Sequence, residues 1–142
     1  DLTVPIKVSQ SIWAEGLAVP QGDMMIVHLP SYPHDFAANE VYPTLAERRY
    51  AFEHPCEFRS DTEISLVLPD GYEVAWMPEH SAMTTQDFVF ETSCELKERT
   101  VVWTSSVSVN ERSIPTERYS EFKESYDSLV SPKNSLILLR RS

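Results

Sequence analysis

The stretch Glu63-Ile64-Ser65-Leu66-Val67-Leu68-Pro69-Asp70-Gly71-Tyr72-Glu73-Val74-Ala75-Trp76 decides the fold class. Ile64, Leu66 and Leu68 recur at every second position, which gives an extended segment one apolar side. Pro69-Asp70-Gly71 then interrupts it, because proline presets φ and glycine accepts positive φ without a Cβ penalty. Extension resumes from Tyr72 to Trp76, so the stretch predicts a β-hairpin over 63–76. The same period of two continues on the C-terminal side. Phe88, Phe90, Cys94 and Leu96 share one parity, and Val101, Trp103, Val107 and Val109 share another along a second strand. On the N-terminal side Ile6, Val8 and Ile12 alternate loosely, Met24 to Leu29 reads as a short strand ended by Pro30, and Tyr50 and Phe52 share a face. Pro55 confines that last run to an edge or a break. Residues 31–46 carry little signal.

One segment has the helical period instead. Pro115 suits a first helical turn, Glu117 is favourable beside the positive end of the dipole, and Tyr119, Phe122, Tyr126, Leu129 and Val130 form one apolar stripe. Ser131-Pro132 ends it. Ser135 to Leu139 is apolar on both faces, which predicts a final strand buried within a sheet or under the helix. The architecture that satisfies these elements is mostly β: a sandwich of about seven to nine strands, with one late α-helix over about 115–130 and a last strand.

The chain has 142 residues, 42% of them apolar and 24% charged, which fits a single domain over 1–142 with its own core. Its formal charge of −10 opposes nucleic acid and anionic lipid, since both require a clustered basic footprint. The paired basics Arg48-Arg49 and Arg140-Arg141 read as solvated or salt-bridged charges. No apolar run approaches the ~18 residues of a membrane span, so no membrane insertion is expected. A start at Asp1, running directly into an extended segment, suggests a piece of a longer parent.

No catalytic, cofactor-binding or metal-ligating residue is assigned. His54-Pro55-Cys56 places a thiol near an imidazole, but activation needs a helix N-terminus or an oriented imidazole, and Cys56 lies in a strand-like stretch. Cys56 and Cys94 permit one disulfide without requiring it, and both read as structural. His28, His34, His54 and His80 lack ligand spacing, and Asp61 with Glu63, or Asp23 with Asp35, form no calcium-loop pattern. Three scattered glycines exclude a phosphate-cradling loop. Trp13, Trp76 and Trp103, with Tyr32, Tyr42 and Tyr72, are the aromatic candidates for a ligand platform. Trp103 belongs by parity to the core, which leaves Trp76 at a strand end, with Tyr72, as candidate ligand contacts.

The order of motifs carries a resemblance. Arg48-Arg49-Tyr50, then Ile64 to Val74 around Pro69-Asp70-Gly71, then Met77-Pro78, then Ile114-Pro115 with Tyr119, Phe122, Lys123 and Tyr126, and finally Leu136 to Arg140, together resemble the C-terminal β-sandwich domain that follows the transglutaminase-like core in bacterial exported proteins. The resemblance is strongest over 47–141. It implies an accessory domain whose partner is a neighbouring domain of the same chain, in an exported or periplasmic protein. The catalytic Cys, His and Asp of such proteins belong to the core, and no position here matches them. The expected role is therefore a non-catalytic scaffold or interaction module. The alternative is an independent glycan- or peptide-binding module that uses exposed aromatics. A flat apolar face points to the first, and exposure of Trp76 and the tyrosines points to the second.

Overall fold

A computed structural model of the protein describes residues 16–29, 43–54 and 57–142. In chain order the strands are β1 (Ala18–Gln21), β2 (Met24–His28), β3 (Phe52–Glu53), β4 (Phe58–Val67), β5 (Tyr72–Trp76), β6 (Ser81–Thr84), β7 (Phe88–Lys97), β8 (Thr100–Val109), β9 (Ser113–Ile114) and β10 (Leu136–Arg141). The helix α1 (Thr116–Leu129) and a 3-10 turn over Pro132–Asn134 separate β9 from β10. All pairings among the described residues are antiparallel. One sheet has the order β1-β2-β10-β5 and a longer one β4-β8-β7-β6, while β3 pairs with β9 alone. This is the mostly-β architecture with a late helix and a final strand that the alternation predicts. Among the described residues eight strands are longer than two residues, and β3 and β9 add one two-residue pair, against the seven to nine strands expected.

The long sheet supplies the floor for two cores. In β8 the odd positions Val101, Trp103, Val107 and Val109 are all buried. Val101 and Trp103 pack with Ile64, Leu66 and Leu68 against Val27, Ile137 and Leu139 of the short sheet. At the other end Val107, Val109, Phe88 and Phe90 pack beneath Tyr119, Phe122, Tyr126 and Leu129 of α1, with Phe52 and Ile114 closing the side. Short sheet and helix thus lie side by side on one face of the long sheet. Trp103 reaches across, and its Nε1–H donates to the Asn134 carbonyl at 2.7 Å in the turn before β10.

The helix is fixed at its N-terminal end by a buried acid. Arg118 donates through two nitrogens to both oxygens of Asp87, at 2.8 and 2.7 Å, and Asp87 is only 1% exposed. Such a fork sets orientation as well as position. Tyr119 adds a hydrogen bond from its hydroxyl to the Leu45 carbonyl, 2.8 Å.

Three local readings are corrected. The stretch over 63–76 is not a hairpin: β4 pairs with β8 in the long sheet, whereas β5 pairs with β10 in the short one. The turn itself is present, with the Tyr72 N–H donating to the Pro69 carbonyl at 3.3 Å and Gly71 at φ +76°. Positive φ at its second central residue alone is the type II signature, and that geometry splays flanking strands where primed turns would pair them. The chain therefore crosses here from one sheet to the other. Leu96, expected inside by parity, is 44% exposed although its partner Val101 is buried, because β6 pairs with β7 only as far as Thr92 and leaves Leu96 on an edge. Tyr50 is 81% exposed while Phe52 is buried, since residues 49 and 50 form a bend and strand alternation does not reach them. The expected strand over 2–13 and the aromatics Trp13, Tyr32 and Tyr42 lie outside the described residues, as do His34, Asp35 and Cys56.

Candidate functional site

The short sheet turns one face to the core and, among the described residues, leaves the other open. Ile137 and Leu139 of β10 point inward and are fully buried, so Leu136 and Leu138 point outward. Register then defines a row across all four strands. Val19 lies opposite Ile26, Ile26 opposite Leu138, and Leu138 opposite Trp76. Val19 is 47% and Trp76 37% exposed, and Ile26 and Leu138 are half-buried. Leu136 lies next along the same face, opposite His28. A single exposed leucine needs no explanation, but a contiguous apolar row across four strands does.

Trp76 joins this face because β5 carries an extra residue. Arg141, Arg140 and Leu139 pair with Tyr72, Glu73 and Val74, but Leu138 pairs with Trp76, leaving Ala75 unmatched. A one-residue slip moves every later side chain to the opposite face. Without the bulge Trp76 would share the inward parity of Tyr72 and Val74. With it, the indole stands outside, beside a shallow apolar depression of about 290 Å³ lined by Trp76, Pro132, Lys133, Leu136 and Leu138. The two residues singled out from sequence are thus not brought together. Tyr72 packs against the inner core, and the Arg141 guanidinium lies 5.8 Å from its ring centre.

The remaining candidates take other places. His54 is 1% exposed with its ring 5.4 Å from that of Phe58, and its backbone N–H donates to the Arg112 carbonyl. Cys94 is half-buried against the inner core, and burial pushes its thiol up to about 11. Asp61 stands on the outer face of the long sheet. It accepts from Arg59 Nε at 2.9 Å and from Ser106 Oγ at 2.6 Å, and these bonds, Arg59 first, hold its carboxyl below the usual range. His80 meets Glu91 at 3.0 Å on the surface. Among the described residues no three His, Cys, Asp or Glu side chains come together as a metal site. Arg140 is paired to Glu73, and Arg48 stacks 5.2 Å from the Phe52 ring centre and 5.5 Å from that of Tyr119.

The sequence profile of DUF3858, a domain of unknown function with a solved structure, matches residues 23–139, from the start of β2 into β10. The chain belongs to the DUF3858 family. No curated protein matches it. The DUF3858 fold recurs in a solved structure from Parabacteroides distasonis described as a putative protease, with a TM-score of 0.74 at 14% identity. That match covers 84% of this chain and 24% of the other, so the DUF3858 domain spans about a quarter of its structural neighbour. At this identity the likeness is one of fold.

Of the residues that make the open face of the DUF3858 domain, only Trp76 was singled out from sequence. Leu136 and Leu138 had a signal, because a strand apolar on both sides has more apolar surface than one core can bury. Ile26 had the same signal, in a Met24–Val27 run that is apolar on both sides, whereas Val19 had none.

Proposed function

We propose that the domain is a non-catalytic accessory module of a larger transglutaminase-like, exported bacterial protein, and that it docks on a neighbouring domain of its own chain through the open face of the short sheet. The observation that carries this reading is the unbroken row Val19, Ile26, Leu138 and Trp76. Such a row, apolar across four strands and beside only a shallow depression, suits a protein surface better than a small ligand, which binds in an enclosed cleft. Intra-chain interfaces of this kind bury roughly 600–1,500 Å², an area a four-stranded face can supply. The occurrence of the same fold as 24% of a longer chain supports a modular role, and the motif order described above supports the transglutaminase-like parent.

The test places a charge on the face. Leu138→Lys, or Val19→Lys with Ile26→Lys, should leave the isolated domain folded with only a modest fall in melting temperature, because these side chains face outward and are at most half-buried. In the parent protein the same changes should separate the melting of this domain from that of its neighbour and alter the neighbour's activity. A parent that behaves identically with and without the charged face, or with the whole domain removed, would rule the docking role out.

A further inference from the structure

Resting on that reading of the open face, we infer that its anchor is the Trp76 depression, and that it takes a peptide segment carrying a bulky apolar side chain next to a carboxylate. Three observations carry this. The unmatched Ala75 re-aims Trp76 away from the core to which its strand's inner parity would assign it, and bulges serve such re-aiming beside functional sites. The floor beneath the indole is aliphatic, from Leu136 and Leu138, with Pro132 at its side. That surface accepts an apolar side chain by burial and offers an aromatic face for stacking.

The rim supplies the sign. Lys133 lines the depression, is exposed, and has no ion-pair partner among the described residues. Arg140, on the same face of β10, is already neutralised by Glu73. In a chain of net charge −10, an ammonium with no acidic partner among the described residues, beside an exposed tryptophan, favours an acidic partner at this spot, although the molecule as a whole repels one. The pairing is local, so it sets register and partner sign more than affinity.

The experiment uses the 142-residue chain, isotopically labelled, and two short acetylated peptides. One alternates aspartate with leucine and phenylalanine, and the other has lysine in place of every aspartate. The acidic peptide should shift the Trp76 indole N–H and the amides of residues 132–138. It should bind about threefold more tightly than the basic one at low salt, and the difference should shrink as salt is added. Lys133→Glu should invert the order, and Trp76→Ala should abolish both responses. Equal binding of the two peptides, an order unchanged by Lys133→Glu, or shifts elsewhere with Trp76 silent, would overturn the inference. So would chitotriose binding at Trp76 with both peptides inert. Loss of peptide preference in a chain whose parent still needs the open face refutes this anchor alone. A preference that persists where the parent does not need the face supports the anchor and refutes the docking role.

Discussion

Glu98 occupies the left-handed region at φ +56°, in the two-residue turn that joins Lys97 of β7 to Thr100 of β8. Gly22 does the same work at φ +63° between β1 and β2, without a Cβ to crowd the following carbonyl. Glu98→Gly should therefore stabilise the domain by about 1 kcal/mol, seen as a higher denaturation midpoint with an unchanged slope. A lower midpoint would mean that the glutamate side chain holds the turn. Cys94 makes a second residue-scale prediction. Its thiol rises from an ordinary 9.0 to about 11 by burial, so the folded state favours the neutral form. The associated stability is complete below pH 9 and is lost as pH climbs toward 11. Comparison of unfolding midpoints for Cys94 and Cys94→Ala proteins across that window should show the steeper alkaline fall with the cysteine present. Parallel curves would place the thiol in contact with water.

At the scale of elements, α1 is held by apolar burial along its length and by a single ionic clasp at its start. Phe122 is 1% exposed, with ring centres 5.3 Å from Phe52 and 5.7 Å from Phe88. Phe122→Ala should cost about 3–5 kcal/mol and lower the melting temperature by roughly 10 °C or more. A shift within a degree would show that the helix is not part of the cooperative unit. Arg118→Ala strands the buried Asp87 carboxylate, whereas Arg118→Ala with Asp87→Asn removes the charge as well. The double variant should melt above the single one, and the reverse order would mean that Asp87 is solvated after all. These contacts also show what was legible in the sequence. Tyr119, Phe122, Tyr126 and Leu129 were readable because helical period is local, as were Val101, Trp103, Val107 and Val109 from strand parity. Asp87 gave no signal, since its partner lies 31 positions away. The turn at Pro69-Asp70-Gly71 was legible as a turn, but the partners of β4 and β5 were not, because strand pairing is set by distant registers. The Ala75 bulge, which decides the direction of Trp76, leaves no mark in composition or period at all.

For the molecule as a whole, charge and surface divide the possible partners. At a net charge of −10, with Arg48, Arg118 and Arg140 committed to internal contacts, the domain should not retain DNA or RNA at physiological salt. A gel-shift titration checks this, and a complex that weakens steeply with added salt would reverse it. The place of β10 has a further consequence, for the order of assembly. The last strand of the domain is an interior strand of the short sheet, hydrogen-bonded to β2 on one side and β5 on the other, and β5 has no other strand partner among the described residues. While the chain emerges from the ribosome, β1 and β2 can pair as a hairpin, and β4, β6, β7 and β8 can pair as soon as residue 109 is free, but β5 must wait for residues 136–141, which also join it to the β1–β2 pair. The seam closes last, by contacts of long sequence separation, which are the slow ones. Chains stalled before residue 136 should protect the amides of β7 and β8 from hydrogen exchange while those of β5 exchange freely. Early protection of β5 would mean that the short sheet assembles by another route.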